Sequence, residues 1–417
     1  MSHANEQPLL KGVLPSQRLA TYLLLLLNCL SPLAAIVVAP SLPQMQAHFA
    51  NVPNVEFLVP VSLTIPGLLV ALLSPLVGWL ADRVGRKRML VGATFAYGLL
   101  GVLPLFLDSL YAIIASRVGL GCVEAVVVTV STTLIGDYYS GALRQRYLAL
   151  QTTFASTSAI VFFLIGGVLG EFGWRTPYLV YLVSILLAIV AARLLWEPAR
   201  DRMAQDAEAD GQGALVFRPA LMGLIYLVTF IGAVAFMTLQ INLAYLLGAV
   251  GENSPRVAGL VASACSVLIV LGTLSVHLLL HLRLRISHCL ALAFGLIGLS
   301  FLLIATASST GSVLAASLVN GLGCGLLLPS LAIWNMRELP WRLRGMGTGL
   351  WYGCYCLGMF FSPIIVVSVS KLSGSTASAV GWGAWVLLPV AAIALVVALI
   401  SRRSAPAALP SGQHKAA

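Results

Sequence analysis

The sequence predicts an all-α membrane protein of twelve spanning helices in two sets of six, with both termini on the same, cytoplasmic face. Three observations lead there. Hydrophobic residues make up 59% of the 417 and charged residues only 9%, with a mean hydropathy of +0.96, whereas soluble domains carry about 25% charged residues. Apolar runs near the length of about 20 residues that a membrane helix needs recur along the whole chain. Basic residues then gather in alternate connections between those runs, as they do on the cytoplasmic side of a bilayer.

A polar segment, residues 1–17, precedes the first run at about 20–40, which is long enough to remain as a span and to serve as its own signal. Runs at about 57–80, 89–107, 110–135, 148–170 and 175–196 complete a first unit over residues 18–196. Residues 197–218 are polar and acidic, with Glu197, Asp201, Asp206, Glu208 and Asp210, and read as a cytoplasmic linker. Runs at about 220–248, 257–281, 287–307, 311–334, 346–368 and 380–401 form a second unit over 219–402, and a short tail covers 403–417. Prolines inside the runs (Pro32, Pro40, Pro60, Pro66, Pro75, Pro329 and Pro363) and the Gly321–Gly325 cluster predict kinks and close helix contacts.

With the amino terminus inside, all but four of the 24 Lys and Arg fall on cytoplasmic segments; Arg175, Arg256 and Lys371 face outward and Arg117 lies within a span. The net charge of +10 therefore reflects topology and contact with anionic lipid headgroups, not nucleic acid. Seven cysteines sit in or beside apolar runs, where small-residue packing is the expected use. His277 and His281 share a helical face but lack the intervening Glu of zinc hydrolases and a third ligand, and no serine-hydrolase elbow or phosphate-binding loop is present. The sequence thus argues against an enzyme, a metal site and a cofactor.

Between the second and third runs stands Gly78-Trp79-Leu80-Ala81-Asp82-Arg83-Val84-Gly85-Arg86-Lys87-Arg88, a glycine-framed loop with one carboxylate among four cations. It resembles the signature at this position in major facilitator superfamily transporters, and the resemblance extends over about residues 18–402. The resemblance implies the two-bundle fold of that superfamily and alternating access to a site between the bundles. It also implies a conformational latch made by Gly78, Asp82, Arg83, Gly85, Arg86, Lys87 and Arg88, with Asp82 engaging the eleventh helix. The alternative is that these charges only anchor the loop to headgroups. Gly136-Asp137-Tyr138-Tyr139 with Arg144 and Arg146, and Arg337 to Gly345, look like the corresponding basic loops after the fourth and tenth helices.

Arg117 and Glu124 lie within the fourth run, seven residues apart and so on one helical face, with an axial rise of about 10 Å between them. Charged side chains at such depth face a cavity or a partner and mark ion or substrate paths, and burial disfavours a carboxyl's charged form, which suits proton exchange. Glu124 is expected to carry the coupling proton. Arg117-Val118-Gly119-Leu120-Gly121 is similar to the family's fourth-helix pattern, although Leu120 replaces its amide, and that resemblance associates Arg117 with proton coupling or anion recognition. The alternatives are snorkelling of Arg117 to the outer interface and a Glu124 hydrogen-bonded to a neighbouring helix.

On the fifth run the family's drug-antiporter signature is only partly kept: Gly166-Gly167 survives, and Phe162-Phe163 replaces its Gly-Pro. Candidate cavity residues come from polar and aromatic side chains at helical spacing: Asn28, Gln151 and Ser158, Thr238, Asn242 and Tyr245, Trp351 and Tyr355. Aromatic stripes in membrane helices also serve packing and interfacial belts. The sequence leads to a secondary transporter in a bacterial inner membrane, monomeric by default and driven by a proton gradient, that exports amphipathic small molecules. Uptake of a metabolite and a transporter-like sensor are the competing readings.

Overall fold

The computed structural model describes residues 15–198, 218–282, 284–340 and 343–403. The expected segments at 1–14 and 404–417, and most of the linker, lie outside the described residues. Twelve helices are long and apolar enough to cross a membrane, and no strand occurs among the described residues. In hydrocarbon every backbone N–H and C=O must find a partner within the protein, which leaves an apolar chain of this length little choice but helices.

The first span, α1, is broken into Pro15–Asn28, Leu30–Ile36 and Leu42–His48, with a 3-10 turn over Ala39–Ser41. Pro40 sits in that turn, where its missing N–H and fixed φ end the preceding helix. The remaining spans of the first half are α2 (Val55–Val84), α3 (Arg86–Val102), α4 (Leu110–Tyr138), α5 (Gly141–Gly170) and α6 (Leu182–Leu194). The second half comprises α7 (Pro219–Ala249), α8 (Pro255–His281), α9 (Ile286–Ala305), α10 (Thr310–Glu338), α11 (Arg344–Ser373) and α12 (Thr376–Arg403). Prolines inside α2, α10 and α11 leave those helices continuous, because neighbouring helices and local adjustments re-satisfy the freed carbonyls.

The two halves repeat one packing scheme. In the first half α2 packs on α4, α3 on α4 and on α6, and α1 on α5; in the second, α8 packs on α10, α9 on α10 and on α12, and α7 on α11. A shift of six helices converts one set into the other. The halves meet along two equivalent seams, α5 on α8 and α11 on α2, while α7 packs on the 3-10 turn of α1 and on its last piece, Leu42–His48. The Gly321–Gly325 cluster seats α10 between two backbones: a Cβ on Gly321 or Gly325 would strike α8 at Cys265 or Ile269, and one on Gly323 would meet the Ala293 carbonyl of α9.

The predicted loop between the second and third spans is corrected to a single residue. Helix α2 runs through Val84, α3 begins at Arg86, and Gly85 alone turns the chain, at φ 102° and ψ 131°. A side chain is rarely tolerated at that φ, and a Cβ there would also lie 3.3 Å from the carboxylate of Glu197.

Candidate functional site

Two polar assemblies stand out, one on the face that carries the linker and one at mid-depth. On the linker face Arg86 is the hub. Its Nη2 donates to Asp82 Oδ1 at 2.9 Å and its Nη1 pairs with Asp137 of α4. The backbone N–H groups of Arg86 and Lys87 donate to Glu197 Oε1 and Oε2 at 2.5 and 3.0 Å, so a carboxylate arriving from the end of the first half caps the amino terminus of α3. Tyr138 fixes that arrival: its ring stacks on Trp196 at 4.0 Å, and its hydroxyl donates to the Trp196 carbonyl at 2.7 Å. Arg83 instead lies 3.8 Å over the ring of Trp79, and Gly78 faces open space. Asp137 and Glu197 complete this network; in the sequence one stands in a motif and the other in the linker, neither with an assigned partner.

At mid-depth Glu124, near the centre of α4, reaches the interface between the halves. Ser31 of α1 donates to its Oε1 at 2.7 Å, while its Oε2 is buried without a hydrogen-bond partner among the described residues. The carboxylate lines a cavity of about 50 Å³, walled by apolar groups of α1 and α2 on one side and by Met237, Tyr352, Cys356 and Met359 on the other. That volume holds a few waters and is far below the 300 Å³ or so of a drug-sized pocket.

Arg117 does not share the cavity, and its complete burial argues against the alternative of snorkelling to the outer interface. Its guanidinium turns into the first half, donating to Tyr181 Oη at 3.2 Å and to the carbonyls of Leu100 and Gly101 at 3.0 and 3.1 Å. Its Cζ stands 5.2 Å from the rings of both Tyr178 and Tyr181. Those carbonyls end α3, where the macrodipole favours a cation, so Arg117 ties α3, α4 and α6 together. Two turns place Arg117 and Glu124 on one face in projection, but the axial offset delivers them to different neighbours.

The other candidate cavity residues are placed one register away from it. Thr238 Oγ1 lies 3.2 Å from Ser362 Oγ of α11, while Asn242 donates to the Thr238 carbonyl of its own helix at 2.7 Å. Met237, one residue earlier, meets the cavity. Trp351 and Tyr355 stack on each other at 6.4 Å, with Trp351 Nε1 buried and without a hydrogen-bond partner among the described residues, while Tyr352 and Cys356 line the cavity. One residue on a helix is a 100° rotation, enough to change which neighbour is met. Gln151 bonds to Thr132 of α4 at 3.0 Å and Ser158 to its own helix at Ala155. The Tyr245 hydroxyl is buried without a partner among the described residues, and Asn28 ends the first piece of α1.

Away from the linker the halves are tied directly. Glu171, just past α5, accepts from Ser254 Oγ at 2.5 Å and from the backbone N–H of Arg256 at 3.1 Å, capping α8 across the interface. The Ser254 hydroxyl holds the Glu171 carboxyl below the usual carboxylate range, and the Arg256 N–H adds to that effect. Lys371 of α11 reaches Glu56 of α2 at 2.5 Å. Along the α5–α8 seam Ser263 donates to the Ile160 carbonyl at 2.8 Å, and Gly167 and Gly259 bring the two backbones into contact.

Solved transporters share this architecture. A bacterial homolog of the human lysosomal transporter Spinster, in an inward-facing and occupied conformation, superposes with a TM-score of 0.73 at 15% identity, covering 95% of this chain and all of that one. A D-xylose-proton symporter gives 0.70 at 15% identity, covering 93% and 97%. Among curated proteins, the Escherichia coli 3-(3-hydroxy-phenyl)propionate transporter is 26% identical over 354 residues, 82% of each chain. The Multidrug resistance protein B homolog of Mycobacterium tuberculosis is 28% identical over 169 residues, 40% of this chain and 31% of that relative. The chain thus matches only about a third of the length of its drug-resistance relatives. The profile described as Major Facilitator Superfamily matches residues 24–363, and this chain is a multi-pass transporter belonging to that superfamily.

Proposed function

We propose that the protein is a proton-coupled exporter of amphipathic small molecules, working by alternating access in a cytoplasmic membrane with its linker face inside. The carrying observation is Glu124: a carboxylate at mid-depth, in the small cavity between the halves, held by one serine and presenting a second oxygen with no hydrogen-bond partner among the described residues. Such a group has room for a proton or for a donor on a solute, and competition between the two couples their movements. Soft walls of Met237 and Met359 suit apolar bodies of varied shape. The basic loop Arg83–Arg88, with Asp82, Asp137 and Glu197, acts as the latch on the linker face. The partial matches to drug-resistance proteins support export.

Uptake of a small metabolite is the second reading, favoured by the match to a phenylpropionate transporter over 82% of each chain. Purified protein in liposomes loaded with a pH dye, challenged with cationic, neutral and anionic amphiphiles, separates the readings. Export coupled to protons requires counterflow of solute and proton, and Glu124→Gln is expected to lower the flux by about a hundredfold or more. Solute movement that persists without proton flux in the wild type overturns the coupling.

A further inference from the structure

Between the Glu124 cavity and the face opposite the linker, α7 packs against the 3-10 turn Ala39–Ser41 and the last piece of α1, Leu42–His48. Met237 of α7 borders the Glu124 cavity, and Ala244, two turns on, borders a second small crevice at the far face with Gln44 and Glu252. Gln240 stands between them, three residues after Met237 and four before Ala244, and so on the same helical face. It is 9% exposed, and its Nε2 is buried with no hydrogen-bond partner among the described residues; Gln44 Oε1, at the crevice, is in the same condition. An unsatisfied buried amide costs about 1–3 kcal/mol, and nothing in the packing of α7 explains its retention amid Leu239, Ile241 and Leu243.

We propose that the α1–α7 seam is the path by which protons from the far face reach Glu124, and that Gln240 is its positioning residue. The inference rests on Glu124 being the proton carrier. When the seam loosens, water enters beside the Gln240 amide, which holds it by hydrogen bonds and keeps its own protons. Each water accepts a proton from the far side and releases one toward Glu124, so the carboxylate gains a proton that bulk water has lost. With the seam packed, as here, Gln240 is dry and the path is broken, which prevents a leak. Glu252 and Glu171 flank the mouth beside Arg256, and Ser254 joins the two carboxylates by its N–H and hydroxyl. At the inner end Glu124 faces Ser31, Tyr352 and Cys356, with Arg117, Tyr97 and Tyr181 behind it inside the first half.

The test uses the full chain in sealed liposomes of phosphatidylethanolamine and phosphatidylglycerol, sorted by orientation, and dicyclohexylcarbodiimide, which reacts with buried carboxyls in their protonated form. The adduct on Glu124 is counted by peptide mass spectrometry after an acid step applied to one face. In wild type an acid step on the far face should speed labelling. Gln240→Leu should slow that response by about tenfold, the loss of one hydrogen bond to the transferring water, and leave the response to a linker-face step unchanged, which also certifies the fold. Gln240→Glu should restore the far-face response, and Gln44→Leu should weaken it. An unaltered far-face response in Gln240→Leu overturns the proposal. Labelling that answers only to the linker face overturns the seam while leaving Glu124 as proton carrier, and labelling indifferent to both faces removes the proton reading with it.

Discussion

The two halves of the molecule share a packing scheme and differ in chemistry. Among the described residues the buried charged side chains, Arg86, Arg117 and Glu124, all lie in the first six helices, whereas the buried polar groups of the last six are neutral: Gln240, Asn242, Asn320, Asn335 and a set of serines and threonines. The equivalent contacts show it directly. The α3–α4 contact is bridged by the Arg117 guanidinium on two carbonyls, and the α9–α10 contact by Asn320 Nδ2 on Ser300 Oγ at 2.9 Å. One architecture can therefore hold its helices with or without charge. Charge in the first half is not required by the fold, and its concentration there supports assigning proton chemistry to that half and wall-building to the other.

That contrast can be broken most forcefully at the two bridges. Replacing Arg117 by Leu strands the carbonyls that end α3 and should cost about 2–3 kcal/mol, the value of hydrogen bonds to a charged donor. Asn320→Leu should cost about 1 kcal/mol, as neutral membrane hydrogen bonds do. Thermal unfolding of both variants in detergent measures the difference; equal losses would mean that Arg117 is held for a reason other than tying helices.

A smaller effect is expected where the halves touch. Gly259 of α8 packs its Cα against Gly167, with Pro255 and Phe163 close by, while Gly353 of α11 has nothing within 4 Å of a Cβ position. Gly259→Val should wedge the α5–α8 seam at a cost of about 2 kcal/mol and expose far-face positions to water-soluble thiol reagents after cysteine labels are placed there. Gly353→Val should stay within about 0.5 kcal/mol. Similar outcomes would show that the close backbone approach at Gly259 does not tighten the α5–α8 seam.

The smallest effect concerns pH. The carboxyl of Glu171 is held low by the Ser254 hydroxyl first and the Arg256 N–H second. A carboxyl depressed in the folded state contributes stability above its free value, and that contribution is lost as pH falls through the depressed value. The far-face tie should therefore hold at neutral pH and loosen in acid, below the ordinary carboxylate range. Glu171→Gln should make far-face opening independent of acid; an acid response that survives in that variant assigns the sensitivity to Glu56 and Lys371.

Much of this was readable from residues alone. The twelve spans, the division near residue 197 and the membership conveyed by Gly78 to Arg88 follow from run lengths and one dense motif. Glu124 was legible because a carboxylate in an apolar run admits few roles. Less legible was the company each residue keeps. Periodicity points to Thr238 and Tyr355, yet their chain neighbours Met237 and Cys356 meet the cavity, since a stripe on a helix gives a face but not which partner it confronts. Asp137 and Glu197 carried no signal of their own, because a carboxylate in a polar connection is ordinary until a distant helix end is brought against it.

The sequence by itself determined the material and the order of the parts: lipid-soluble helices, their number, their pairing into halves and a carboxylate at mid-depth, all consequences of local composition acting through the cost of unpaired backbone in hydrocarbon. Only the tertiary structure decided that Arg117 and Glu124 would part company, one to the carbonyls of α3 and the other to the space between halves. It also decided that Glu197 would return to cap α3 at Gly85, and that Gln240 would be left without a partner between two cavities. Those outcomes depend on which helix lies within a few ångströms of another, and such contacts join residues far apart in the chain that no local pattern relates.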